Sequence, residues 1–275
     1  MTLTLTALTS PPARVDLSPL VPETTRGRSA IEVAGTAIRC GRDRVGVGEL
    51  FAVSGYGTDE LVLRGELGRI DRIGAGMRGG RLRVEGSCGD HVGARMTGGE
   101  IVIDGDAGAF AGAELRGGLV RIEGSAGASA GAGYPGTRAG MSGGEIVIAG
   151  DAGQEAGAAM RRGLVAIGGR AGDGAGLRML AGTVIALRGV GAEAGMGNKR
   201  GSIVSGRPLR PLPGYARAVR YRPPALALQL RRLRELGLEV PDAMLTGAWT
   251  RWAGDRLELS RGEILIFDEE EVAAG

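Results

Sequence analysis

The chain contains a single histidine, and this limits the chemistry that its side chains can perform. His91 lies in the segment Gly89–Gly93, so a metal site built from two or three histidines is excluded and only His91 could serve in a Ser-His-Asp relay. In later copies of an internal repeat, the same position is occupied by Phe110, Ala128 and Glu155. A position that accepts such different side chains is typical of a surface corner, so we predict no catalytic residue in this chain.

The cysteines, glycines and acidic residues also lack the spacing of a cofactor or metal site. Cys40 and Cys88 form no Cys-X-X-Cys motif and are too few for a disulfide framework or a cysteine-rich metal centre. Gly-X-Gly strings occur without a following helix pattern, which argues against a dinucleotide loop. Asp106, Asp151 and Asp173 follow strand-end glycines and are interpreted as exposed turn residues. We therefore expect this chain alone to bind neither a metal nor a cofactor.

Three arginines recur at one position of the repeat and are the candidate binding residues. Arg78, Arg116 and Arg161 are predicted to form a row along one edge of the molecule. Spaced guanidinium groups could contact a polyanion such as a polyglutamate tail. Alternatively, they form a solvated edge that discourages aggregation between sheets.

The repeat that places these residues runs from Gly65 to Gly206 and has a period near 19 residues. Its anchor positions are Met77, Met96, Leu115, Met141, Met160, Met179 and Met196, at intervals of 19, 19, 26, 19, 19 and 17 residues. Each regular copy holds apolar residues two apart, such as Leu82 and Val84, which is the alternation of a strand, and then a Gly/Ala-rich half. The period is too short for a propeller blade, and no amphipathic helix pattern occurs. We predict a mainly β, parallel solenoid of about seven coils, with the methionines stacked in its core.

The segments on either side of the repeat are predicted to cover the ends of the solenoid. Residues 1–64 carry short strand-like runs at Ala30–Val33 and Leu61–Leu63, and residues 207–275 begin with a proline-rich stretch. A helix is predicted over Ala225–Leu236, with Gly237 as its stop. Two strands are predicted in the same segment, at Arg256–Leu259 and Glu263–Phe267.

The aromatic residues suggest two contact surfaces. Trp249 and Trp252 are expected either to cap the last coil or to anchor a partner. One repeat carries a seven-residue insertion at 131–138, which includes Tyr134 and Arg138. Insertions in a solenoid project from one face and often form contacts, so the insertion is interpreted as a partner contact or, alternatively, as a neutral loop.

Composition narrows the class of protein further. The chain has 275 residues, of which 53 are glycine, with 3% aromatic residues and a formal net charge of +3. This mild charge and the shortage of stacking aromatics argue against a nucleic-acid-binding protein. The N-terminus lacks the pattern of a secretory signal, and no 18-residue apolar run occurs. We therefore expect a cytoplasmic protein that makes no membrane contact.

The glycine-rich repeats, together with Arg251–Asp255 and Gly262–Leu265, resemble a known family. The repeats are similar to the right-handed β-helix at the C-terminus of glutamate synthase large subunits. The whole chain more closely resembles the C subunit of formylmethanofuran dehydrogenase and of the related bacterial formyltransferase/hydrolase complex. The resemblance implies a right-handed parallel β-helix, and a hetero-oligomer with the A, B and D subunits in which the C subunit pairs with the B subunit as a scaffold.

The resemblance also implies a function. In the bacterial branch, the complex moves a formyl group from formyl-tetrahydromethanopterin to a methanofuran-type carrier and hydrolyses it to formate, with the chemistry in the A and D subunits. We therefore expect a non-catalytic subunit of such a one-carbon complex.

Three further hypotheses stay open. In the archaeal branch, the complex carries molybdenum or tungsten, and the chain could be the C subunit of that enzyme. It could also be a solenoid acyltransferase that uses His91. Finally, it could be a module that binds a polyacidic carrier through the arginine row.

Overall fold

A computed structural model describes residues 2–268, so residues 269–275 of the predicted C-terminal segment lie outside the described residues. Among residues 2–268 the protein is mainly β, as the sequence predicts. Its strands are β1 (Thr2–Ala7), β2 (Val15–Asp16), β3 (Ala37–Cys40), β4 (Asp43–Gly46), β5 (Phe51–Ser54), β6 (Tyr56–Arg64), β7 (Ile70–Asp71), β8 (Arg81–Glu85), β9 (Glu100–Ile103), β10 (Leu119–Ile122), β11 (Ser142–Ile148), β12 (Arg162–Ile167), β13 (Thr183–Ala186), β14 (Ser202–Ser205), β15 (Ala216–Tyr221), β16 (Trp249–Gly254) and β17 (Gly262–Phe267). Its helices are α1 (Pro22–Thr25), α2 (Ala30–Ala34), α3 (Val47–Leu50), α4 (Pro224–Glu235) and α5 (Asp242–Thr246).

Most of the strands form one sheet in which successive repeats pair in parallel. The sheet has 13 strands in the order β15-β16-β17-β14-β13-β12-β11-β10-β9-β8-β6-β1-β5, and a second sheet has the order β4-β3-β2-β7. Strands β8 to β14 each come from one repeat and lie side by side in chain order. Strand β1 extends the parallel run beyond β6, whereas β16 adds antiparallel to β17 at the other end. The right-handed closure of each repeat and the number of coils stay predictions.

The alternation of apolar residues explains why the strands stack in this register. One inward column consists of paired aliphatic residues that are all fully buried: Leu61, Leu82, Ile101, Val120, Ile146, Val165, Val184, Ile203 and Ile264. Opposite this sheet, the Gly/Ala-rich halves form a ladder of single bridges through Leu67, Cys88, Ala107, Ala126, Ala152, Ala171 and Val190. The small residues of this ladder keep the core thin, which agrees with the low aromatic content.

Side-chain carboxylates bind one repeat to the next. The Oδ1 atom of Asp106 accepts the backbone N–H of Ser125 at 2.7 Å, and that of Asp151 accepts the N–H of Arg170 at 2.7 Å. Asp173 accepts the N–H of Ala192 at 2.8 Å in the same way. These aspartates are therefore more than exposed turn residues, because each satisfies a backbone donor of the following repeat.

The anchor column has five methionines, Leu115 and Asn198, rather than six methionines and Leu115. The anchor residues from Met77 to Met179 are fully buried, but Met196 is 42% exposed. The N–H of Leu180 donates to the carbonyl of Met160, and the N–H of Lys199 donates to that of Met179. Asn198, which precedes Lys199, therefore occupies the anchor position of its repeat. The predicted anchor at Met196 is wrong, and the last interval is 19 residues.

Two of the predicted strands are absent. Ala30–Val33 lies in helix α2, because the Ser29 hydroxyl accepts the N–H of Glu32 while the Glu32 carboxylate accepts the N–H of Ser29, which is a capping box. Arg256–Leu259 forms a turn, in which the Asp255 carboxylate accepts the N–H of Leu257 at 3.1 Å. The predicted helix over Ala225–Leu236 is confirmed as α4, and Gly237 follows it at φ +94°.

The outer face of the sheet changes character along the stack. It alternates Arg83, Val102 and Arg121 in strands β8 to β10, and then carries only Val147, Ala166 and Ile185 in the paired positions of β11 to β13. Helix α4 covers the apolar part with the buried leucines Leu226, Leu230 and Leu233. Among residues 2–268 no helix has the length and apolar character needed to cross a bilayer.

Two glycines that occupy the same position in successive repeats allow a test of whether close contact between backbones requires glycine there. A Cβ at Gly98 would lie 2.5 Å from the carbonyl oxygen of Arg78, whereas a Cβ at Gly79, one repeat earlier, would meet nothing within 4 Å. Gly98→Ala should lower the free energy of unfolding by about 1–3 kcal/mol. Gly79→Ala should change it by less than about 0.5 kcal/mol. Denaturant unfolding of both variants gives the comparison, and equal effects would contradict direct contact between backbones as the cause.

Candidate functional site

The insertion at 131–138 folds back onto the two preceding repeats and builds an aromatic cluster. The rings of His91 and Phe110 stack with centroids 5.3 Å apart, and the ring of Tyr134 stacks on Phe110, also at 5.3 Å. The Tyr134 hydroxyl lies 3.1 Å from His91 Nδ1. We name His91, Phe110 and Tyr134 the aromatic corner. The cluster binds the base of the insertion to the body of the protein.

The backbone explains why His91 and Phe110 project from the same corner. Both residues have positive φ, 65° and 61°, and the next residue in this row is Ser129, at 63°. The N–H of Phe110 donates to the carbonyl of Ala128, and the N–H of Ser129 donates to that of Gln154. Ser129, not Ala128, is therefore the equivalent of His91, and the predicted alignment is off by one residue in this repeat.

A charged pair flanks the aromatic corner. The guanidinium carbon of Arg95 lies 5.4 Å from the centroid of the Tyr134 ring, within the range of a cation–π contact. Arg95 Nε donates to Glu114 Oε2 at 2.8 Å. The Glu114 side chain is 13% exposed, and its Oε1 atom is buried with no hydrogen-bond partner among the described residues. The pair therefore adds a second set of contacts that hold Tyr134.

The electrostatics of the aromatic corner favour neutral side chains. Burial lowers the pKa of His91, and the positive charge of Arg72 lowers it further. Burial raises the pKa of Tyr134. At neutral pH, His91 is therefore uncharged and Tyr134 is a phenol. A neutral pair that is packed against Phe110 can position the insertion, and it supplies no cationic acid at neutral pH.

The two cysteines are buried and form no disulfide. Burial raises the pKa of Cys88 to about 12, with added repulsion from Asp71 and Asp90. The thiolate is the reactive form of cysteine, and it is disfavoured at Cys88. Among residues 2–268, no group of three or more His, Cys, Asp or Glu side chains is placed to hold a metal ion.

The arginine row is present on the surface but does not form an enclosed site. Arg78, Arg116 and Arg161 are exposed, and Thr97 and Ser142 occupy the positions between them. The arginines therefore lie two repeats apart, roughly 10 Å at about 4.8 Å per repeat. No carboxylate of the described residues forms an ion pair with them, although the backbone N–H of Arg78 donates to the Glu23 carboxylate.

The two tryptophans differ in position. Trp249 is 1% exposed and packs on Phe267 at a ring distance of 5.1 Å, with Nε1 donating to the carbonyl of Met244 at 3.4 Å. It is therefore part of the cluster under helices α4 and α5 and offers no surface to a partner. Trp252, in the same strand, is partly buried and packs against the main core. Both positions favour the capping hypothesis over a partner anchor.

Two of the cavities among residues 2–268 form only in the folded chain. One, of about 830 Å³, lies between the sheet and the α4–α5 connection, with Leu187, Leu238 and Met244 in its wall. The guanidinium group of Arg234, at the edge of this cavity, already donates hydrogen bonds to the carbonyl of Val240 and to the carboxylate of Asp242. The other, of about 520 Å³, is an open groove that includes Arg138 of the insertion. Residues from distant repeats form both cavities, so no local sequence signal could have revealed them.

The lowered pKa of His91 predicts a pH dependence of stability. The unfolded chain binds the proton more readily, so the free energy of unfolding should fall as the pH drops below about 6.5, the ordinary value for histidine. The variant His91→Phe keeps the ring stack and should remove the contribution of His91 to the change of unfolding free energy with pH. Tyr134→Phe is the matched control, since it removes the hydroxyl but leaves the histidine to titrate. Thermal unfolding between pH 8 and pH 5 gives the slopes, and an unchanged slope in His91→Phe would contradict the assignment.

The sequence of the chain is similar to a known protein over part of its length. No family model matches the chain. A stretch of 78 residues is 40% identical to the C subunit of the formyltransferase/hydrolase complex Fhc of Methylorubrum extorquens. This stretch covers 28% of the chain and 29% of that relative.

A solved structure extends the match to nearly the full length. A chain of the crystal structure of the formyltransferase/hydrolase complex FhcABCD from Methylorubrum extorquens, determined in complex with methylofuran, is 35% identical to this chain with a TM-score of 0.88. The match covers 96% of this chain and 98% of that chain. The resemblance seen in the sequence is therefore confirmed, and the chain belongs to the family of the C subunit of the formyltransferase/hydrolase complex.

Proposed function

We propose that this chain is the non-catalytic, structural C subunit of a cytoplasmic formyltransferase/hydrolase complex. The observation that carries the proposal is the similarity to a chain of the FhcABCD structure over 96% of the present chain. The complex would convert formyl-tetrahydromethanopterin, through a formyl-methanofuran-type carrier, to formate. The methylofuran in the related structure supports a carrier of that kind.

The architecture supports a scaffolding role. We propose a right-handed parallel β-helix over residues 65–206, with residues 1–64 and 207–275 as the segments that cover its ends. Strands β1 and β5 lie at one end of the large sheet and β15 and β16 at the other. Segments that occupy both ends leave the long sides of the stack for neighbouring subunits.

The partners would be the A, B and D subunits, and the reacting groups would belong to them. Among the described residues, the one histidine is packed in the aromatic corner and the buried thiol of Cys88 is protonated. The stacked, uncharged His91 also weakens the case for a solenoid acyltransferase. Both relatives belong to the formyltransferase/hydrolase complex, which favours this branch over the molybdenum or tungsten enzyme. Binding of a polyacidic carrier by Arg78, Arg116 and Arg161 stays a prediction.

Purification with and without the partner subunits tests the proposal. We expect the chain expressed with the A, B and D subunits to co-purify with them, and the assembly to release formate from formyl-tetrahydromethanopterin. The isolated chain should be folded and inactive, because His91 is uncharged and packed between aromatic rings, Cys88 is protonated, and no group of the described residues is placed to hold a metal ion. Activity of the isolated chain, or its elution as a monomer from cells that contain all the subunits, would contradict the proposal.

A further inference from the structure

Two columns of the repeat change from small or polar residues to large apolar ones at the same end of the stack. The first column holds alanine in five successive repeats and then Leu177 and Met196. Its alanines are Ala75, Ala94, Ala113, Ala132 and Ala158, and each member of the column donates its N–H to the residue three positions earlier. The backbone therefore accepts alanine at this position, and the folding of a single repeat does not require the larger side chains.

The second column is the arginine row. Its members Arg78, Thr97, Arg116, Ser142 and Arg161 are exposed and polar, and the next residue in the same register is Leu180, followed by Lys199. The change to leucine occurs beside the change from alanine to Leu177. We name Leu177, Leu180 and Met196 the apolar patch.

The apolar patch lies in the open groove of about 520 Å³ and is incompletely covered. Met196 is 42% exposed, and Leu177 and Leu180 are partly buried. The turn at 255–260 approaches the same groove through Glu258 and also carries Leu257, which is 90% exposed. Exposed apolar side chains that are grouped in this way mark an interaction surface.

Cationic side chains border the apolar patch. Arg138 from the insertion, Arg178 and Lys199 line the groove with it. Lys199 Nζ lies 3.4 Å from Glu258 Oε2, whereas Arg138 and Arg178 form no ion pair with a carboxylate of the described residues. The groove therefore combines an apolar floor with a positively charged rim, and its charge complement is an acidic segment that carries apolar side chains.

We propose that this groove is the docking site for an acidic protein segment of a partner subunit, which places apolar side chains on Leu177, Leu180 and Met196 and carboxylates beside Arg138, Arg178 and Lys199. The proposal rests on the proposed function, since it takes the partner to be a subunit of the same complex. It also assigns a role to the insertion, whose Tyr134 is fixed in the aromatic corner and thereby holds Arg138 at the groove.

Substitution to the residue types found elsewhere in each column tests the proposal without disturbing the stack. The triple variant Leu177→Ala, Leu180→Thr, Met196→Ala should keep the wild-type unfolding midpoint, since each new residue occupies the same position in another repeat. Its affinity for the assembled partner subunits should fall roughly 10–100-fold. Leu228→Ala, at a 63% exposed leucine of α4, is the matched control and should bind normally.

Zero-length carbodiimide coupling provides a second readout, because Lys199 is the only lysine of the chain. The reagent converts a carboxylate to an O-acylisourea, and the lysine amine attacks its carbonyl carbon to form an amide and release the urea. In the isolated chain, we expect Lys199 to couple to Glu258, and in the complex we expect a product that joins Lys199 to an Asp or Glu of a partner subunit. Mass spectrometry of the digested products identifies both links.

The outcomes separate this proposal from the proposed function. Wild-type affinity of the triple variant, or Lys199 coupled only to Glu258 within the complex, would overturn the docking site and leave the scaffold role standing. A dimer of the isolated chain that the triple variant abolishes would assign the groove to a second copy and also overturn it. Failure of the wild-type chain to enter any complex would overturn the proposed function and the docking site together.

Discussion

The structure depends on direct contact between the backbones of successive repeats. The N–H groups of each repeat donate to carbonyl oxygens of the preceding or the following repeat, so carbonyl oxygens lie where a side chain would otherwise stand. Gly98 shows the consequence, since a Cβ there would lie 2.5 Å from the carbonyl oxygen of Arg78. The 53 glycines of the chain follow largely from this spacing, and so do the aspartates that satisfy the N–H groups left at the corners.

This constraint also determines where function can lie. The core between the sheet and the ladder of small residues is thin and filled mostly with aliphatic side chains, methionines and small residues. The polar Asn198 in its anchor column is fully buried and is satisfied by the backbone of Gly201. Residues that differ between repeats are on the outside, in rows one repeat apart. A protein built this way has long, regular surfaces, and its specific features are the places where a row changes residue type. The aromatic corner and the apolar patch are two such places.

Much of the fold can be predicted from the sequence, because the same pattern of apolar residues and glycines recurs in several repeats. Apolar residues two apart predict the strands from β8 to β12, and the leucine spacing predicts α4. Local patterns without repetition are less reliable. Ala30–Val33 has strand-forming residues, but the capping box of Ser29 and Glu32 makes it a helix. An alignment of the repeats by residue type is wrong at Ala128, just before the insertion, and at Met196. At both places the backbone hydrogen bonds show that a different residue, Ser129 or Asn198, occupies the equivalent position.

The candidate site can be predicted only in part. The insertion draws attention to Tyr134 and Arg138, but the return of Tyr134 onto His91 and Phe110 is a long-range contact that no local pattern encodes. The sequence indicates a surface corner at His91, whereas the structure places it, partly buried, against two aromatic rings. The arginine row follows from the repeat, but the change to Leu180 at its end becomes visible only when the register is known.

The central claim is that this chain contributes no catalytic residue to the complex. It is tested most directly by measuring the turnover of an assembled complex that contains the His91→Phe variant. His91 is the only histidine, so a general base or metal ligand of that type in this subunit would be lost. With the variant incorporated at the wild-type ratio, the rates of formyl transfer and of formate release should equal those of the wild-type complex. A fall in kcat of about 100-fold or more, the scale of a lost general base, with assembly intact, would contradict a purely structural role.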